Sequence, residues 1–170
     1  MAGVQRVGTL EVAQDLEFQR RSWTVQRIGW VVMALVIVAA LLGLFGPGPL
    51  SSATAGEQGG ALWAEYRRFG RYASPSTLRI HLDTGAARDG EARVWLSREY
   101  LEGVRIQHIT PEPDSVEAGL DRITYAFRVA EPGQPVAVTF HLELQQIGPT
   151  TGRVGLPDGP SLTFSQFVYP

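Results

Sequence analysis

The chain has 170 residues, a formal net charge of −2 and 44% hydrophobic residues, a balance that excludes a disordered acidic tail and offers no basic excess for nucleic acid. All 15 cations are arginine, which removes lysine Schiff-base chemistry and the GxxxxGK[ST] phosphate loop. Zero cysteines remove disulfides, thiolate metal sites and a cysteine nucleophile, and the joint absence of lysine and asparagine is a coding bias that points to a GC-rich, bacterial source.

Residues 1–27 are too few for a domain. Leu10 to Arg27 lacks glycine and proline and reads as a short cytoplasmic helix running towards a membrane, with Glu17 and Arg21 paired at i,i+4. Val12, Leu16 and Trp23 fall near one face and form an apolar stripe for lipid or a partner; a solvated helical extension accounts for the same pattern.

Ile28 to Phe45 is a run of 18 residues without a charge, roughly 27 Å as a helix against a hydrocarbon core of ~30 Å, so it predicts a single transmembrane helix over 28–45. Trp30 lies near its start, and Gly46-Pro47-Gly48-Pro49 stops it. Arg20, Arg21 and Arg27 flank the N-terminal end, whereas Glu57 and Glu65 come before the first cation on the far side, Arg67. The expected orientation is N-terminus in and C-terminal domain out, in the inner membrane of a bacterium with the domain in the periplasm. A cleaved secretory signal is the competing reading, since Ala53-Thr54-Ala55 supplies an A-x-A pattern. The long apolar core and the acidic residues Glu11, Asp15 and Glu17 ahead of it argue against that. Val32, Val36, Ala39, Gly43 and Gly46 share one helical face, and Ala39 with Gly43 makes a small-xxx-small pair that allows close approach of another helix.

Residues 46–60 read as a Gly/Pro/Ser linker, and 61–170 as a β domain built on period-2 alternation. Leu78, Ile80 and Leu82 alternate with Arg79, His81 and Asp83; Ile123, Tyr125, Phe127 and Val129 alternate with polar or small neighbours. Val136, Val138, Phe140, Leu142 and Leu144 make the longest such run. Further strands are expected at Leu62–Phe69, Ala92–Leu96, Val104–Thr110, Gly152–Leu156 and Ser161–Tyr169, with one helical turn over Ser97–Gly103. The expected fold is a single N-terminal transmembrane α-helix plus an all-β extracytoplasmic domain, an immunoglobulin-like β-sandwich of about seven or eight antiparallel strands. A small closed barrel is the alternative.

Chemistry is sparse. His81 and Asp83 share a strand face, as do His141 and Glu143, and were the two strands neighbours these four could meet around a divalent metal; wetted strand faces explain them equally. Neither G-x-S-x-G nor H-E-x-x-H occurs, and the carboxylate pairs Glu112/Asp114 and Glu99/Glu102 fall in turns. Arg67, Arg68 and Arg71 interleave with Tyr66, Phe69 and Tyr72, a pattern suited to anionic lipid or an acidic partner, or to a strand with core aromatics and surface arginines. Trp95, between Val94 and Leu96, is expected on the outward face as a contact residue, whereas Trp63, Phe164, Phe167 and Tyr169 are expected to pack. The expectation for function is a non-enzymatic, single-pass accessory or assembly subunit of a larger membrane complex, without cofactor, whose partners are integral membrane subunits and the bilayer. The alternative is a tethered domain that binds a ligand, glycan or metal in the cell envelope.

Overall fold

The computed structural model describes residues 16–42, 51–88, 90–129 and 133–170, so Val12, Gly43 and Gly46 lie outside the described residues. The chain divides after Ala40 into two compact units.

In the first unit one helix, α1 (Leu16–Leu41), runs without a break from the described end of the predicted cytoplasmic segment into the apolar run; residues 10–15 of that segment lie outside the described residues. Its stretch Ser22–Leu41 is long and apolar enough to cross a membrane. Every described side chain there is exposed except that of Ala39, which is half-buried. Val32 and Val36 are thus uncovered, and Trp23 is 61% exposed, with the Arg27 guanidinium 4.1 Å above its ring one turn on.

The second unit is built from β1 (Ser52–Ala55), β2 (Leu62–Arg67), β3 (Phe69–Arg71), β4 (Pro75–Leu82), β5 (Ala87–Arg88), β6 (Glu91–Ser97), α2 (Arg98–Glu102), β7 (Val104–Thr110), β8 (Ser115–Ala118), β9 (Arg122–Arg128), β10 (Val136–Leu144), β11 (Gly148–Gly155) and β12 (Ser161–Tyr169). The eight strands expected from alternation correspond to β2, β4, β6, β7 and β9 to β12, and four short strands are added. One of these, β1, lies inside the stretch expected as linker: Ala53 and Ala55 are buried and the strand pairs along β2.

One sheet has the order β1-β2-β4-β10-β7 and is antiparallel throughout; the other has the order β3-β12-β11-β6-β9-β8, with β5 on β6. The second sheet is mixed, since β3 runs parallel to β12. Their inner faces share one core: Phe140 meets Tyr125 edge-on at 5.2 Å and Tyr66 meets Phe164 at 5.2 Å, each pair joining one sheet to the other. The alternation makes this possible, because Leu78, Ile80 and Leu82 all point one way and are fully buried while their neighbours point the other. Each such side chain contributes about 1.5–3 kcal/mol on burial. At the sharp turn after β6, Ser97 starts α2 and the Gly103 N–H closes it on the Tyr100 carbonyl at 3.0 Å.

Candidate functional site

The outward face of the five-stranded sheet carries the protein's three histidines. Register places its side chains in rows. Thr54, Glu65, Arg79, Thr139 and Thr110 lie side by side across all five strands. In the next row Ser52 pairs with Arg67, and Thr77 with His141 and His108. On the other flank stand Trp63, His81 and Ala137. Two of these rows, Ser52, Thr54, Glu65, Arg67, Thr77, Arg79, Thr110, Thr139 and His141 among them, line an open groove of about 740 Å³.

Two stacked pairs flank the groove. His81 lies flat on Trp63, ring centroids 3.7 Å apart and planes 2° from parallel. His108 and His141 stack at 3.8 Å and 11°. The second pair depends on a bulge: β7 opposes β10 in normal register up to His141/His108, after which Leu142 faces Ile106 and Gln107 is the extra residue. Burial pushes the His81 imidazole below its ordinary range, with Glu65 opposing and Arg79 reinforcing the shift. The 3.7 Å approach of His81 Nε2 to Glu65 Oε1 is therefore no charged bridge at neutral pH, and Nε2 has no hydrogen-bond partner among the described residues.

The residues singled out for metal do not converge. β4 and β10 are neighbours, as the idea required, but His81 faces Ala137 and His141 faces Thr77, four residues along the pair and roughly 14 Å away. Asp83 lies beyond the end of β4. Glu143 is engaged by Gln107 at 3.0 Å, by Gln145, and by Arg105 at 3.7 Å. Among the described residues no three His, Asp or Glu groups are placed to hold a metal ion.

The arginine cluster divides between the sheets. Arg67 joins the groove, Arg71 lies on β3 with its Nε donating to the Pro170 carbonyl at 3.3 Å, and Arg68 links them through backbone bonds from its N–H to Ser51 and to its carbonyl from Phe167, each 2.7 Å. Of the interleaved aromatics, Tyr66 is half-buried against the core, Phe69 stacks on Tyr169 at 6.1 Å, and Tyr72 is exposed. Phe167 is also exposed, contrary to a packing role.

Trp95 differs from expectation most sharply. It does point to the outer face of its sheet, yet it is only 9% exposed. The turn after β11 covers it: Nε1 donates to the Leu156 carbonyl at 3.0 Å, and Gly155 lies against the ring, where a Cβ would meet Trp95 Cζ2 at 2.5 Å. With Arg122 above it at 5.4 Å, the indole is packed within the domain and is no contact surface.

His108 was missed as a site residue, although the odd spacing of Ile106 and Ile109, both turned inward, is the mark of the bulge that places it. In comparison with known proteins, no family model and no curated protein matches the sequence.

Proposed function

We propose that the protein is a single-pass membrane protein of non-enzymatic role, an accessory or assembly subunit of a larger membrane complex. The helix lies in a bacterial inner membrane with its N-terminus in the cytoplasm, and an immunoglobulin-like β domain stands in the periplasm. The observation that carries the reading is the uncovered apolar surface of α1, exposed from Ser22 to Leu42 except at Ala39. Lipid alone would cover it, but the small-xxx-small spacing of Ala39 and Gly43 in the sequence suits close approach of a second helix, and partners of this kind are integral membrane subunits. The β domain has a hydrophobic core of its own, which suits a docking module. Arginines at 20, 21 and 27 support the orientation. Replacing both Ala39 and Gly43 by leucine is expected to release the protein from its complex while the β domain stays folded; unchanged co-migration counts against a packed helix.

A second reading, a tethered binder of an envelope ligand, is favoured by one feature, the polar groove between the Trp63/His81 and His108/His141 stacks. Its size falls within the ~300–1,000 Å³ of small-molecule sites.

A further inference from the structure

We propose that this groove binds an oxyanion, a phosphate or carboxylate carried on a hydroxyl-bearing small molecule or lipid headgroup, and that Arg67 and Arg79 hold the anion. The inference rests on the second reading above and gives its ligand a chemical class.

Two cavities of the β domain allow a comparison. One, of about 570 Å³, is lined by Gly85, Glu91, Arg93, Asp114, Arg128 and Asp158 among others. Its arginines are neutralised from within: Arg93 Nε donates to Glu91 at 2.7 Å and Arg128 lies 3.4 Å from Asp114. An incoming anion would have to displace a carboxylate there. In the groove the situation is reversed. Arg79 stands directly opposite Glu65, the carboxylate best placed to neutralise it, but the Glu65 carboxylate approaches the neutral His81 ring at 3.7 Å and makes no ion pair with Arg79. Among the described residues neither Arg67 nor Arg79 has a carboxylate within 4 Å or a side-chain hydrogen bond. As diagonal neighbours on β2 and β4 they are about 7–8 Å apart at the backbone, where two cations on one face repel each other and an anion between them relieves the repulsion. Guanidinium groups grip phosphate and carboxylate through paired N–H bonds.

The surroundings suit a ligand with hydroxyls. Thr54, Thr77 and Thr139 offer donors and acceptors on the same floor, and His141 closes one end. The floor is fixed, because Arg79 lies between Leu78 and Ile80, both fully buried, and β4 is the middle strand of its sheet. Arg67 is held through its own carbonyl, which accepts a 2.7 Å bond from Gln166 Nε2.

The test is calorimetric titration of the full chain in a non-glycosidic detergent. The probes are glycerol 3-phosphate, glucuronate, dihexanoyl phosphatidylglycerol and, as the neutral counterpart, glucose. Saturable binding of at least one anionic probe, with none of glucose, is expected. Arg67→Gln and Arg79→Gln should each weaken it by about tenfold or more, while Arg153→Gln on the other sheet leaves it unchanged. Equal melting curves show that the variants fold. Binding of the phosphatidylglycerol probe alone supports the inference with a lipid headgroup as source, and binding of the free anions supports it with a soluble ligand. Absence of saturable anion binding, or anion binding that survives both arginine changes, overturns it. Glucose bound as tightly as glucuronate, and retained by the arginine variants, overturns the oxyanion while leaving the tethered-binder reading in place.

Discussion

The carboxamide of Gln166 on β12 donates from Nε2 to the carbonyl of Arg67 on β2 at 2.7 Å, a half-buried bond that ties one sheet to the other. Its Oε1 accepts from the Tyr100 hydroxyl at 2.9 Å, so the amide is satisfied at both ends while only 4% exposed. Burial pushes the Tyr100 phenol far up from its ordinary range, which keeps it a neutral donor. Gln166→Leu strands the buried Tyr100 hydroxyl, at an expected cost of about 1–3 kcal/mol, and also removes the part-buried bond to the Arg67 carbonyl. Tyr100→Phe leaves only the Gln166 oxygen without its partner and should cost less. Urea unfolding of both variants checks the order, and a Gln166→Leu protein as stable as the parent would refute the tie.

The packing of Trp95 gives a second prediction. A Cβ at Gly155 would lie 2.5 Å from Cζ2 and 2.6 Å from Cε2 of the indole, which is held in place by its bond to Leu156. Gly155→Ala should therefore cost about 1–3 kcal/mol through overpacking. Thermal unfolding reads the loss; an unchanged midpoint would mean that the ring is free to move.

His81 gives the domain an acid sensitivity of defined sign. Its folded pKa lies below the ordinary 6.5, so the unfolded chain takes up the proton first. The contribution is fully present above pH 6.5 and is lost as pH falls through the folded value. His81→Phe keeps a ring on Trp63 and removes the titration, so its stability should fall less than the parent's between pH 7 and pH 5. Parallel curves for the two proteins would contradict this. Glu65→Gln removes the opposing carboxylate and should steepen the acid loss of the parent.

The membrane assignment is checked at Val36, exposed near the middle of the apolar stretch. Val36→Arg adds about 2.5–3.5 kcal/mol to insertion, whereas Val36→Leu adds none. Loss of retention in carbonate-washed membranes for the arginine variant alone is expected. Equal retention of both would argue against a spanning helix.

The strands legible in the sequence are those with one wet and one dry face. β4, β10 and β12 show that alternation in their burial, and their residues announce it. β1 reads Ser-Ala-Thr-Ala, too small for a hydrophobic period, and is held by pairing along β2. β8 is an edge strand with every residue exposed, so nothing in its side chains marks it. Trp95 misled because β6 is covered on both faces over Val94 to Ser97, the inner by the core and the outer by the turn at Leu156; alternation cannot report a second cover. Of the groove and its flank, Arg67, His141 and His81 are visible as residues, but their rows depend on strand order. The pairing of β4 with β10 and the bulge opposite His141 are non-local facts that no single strand encodes.

The measurement that bears most directly on a subunit role is native mass analysis of the intact protein, extracted from its own membranes in mild detergent and separated by size. Migration in a discrete assembly, with integral membrane partners at fixed stoichiometry that dissociate on Ala39→Leu/Gly43→Leu substitution, is the expected result. Migration of the 170-residue chain alone in its micelle would contradict it.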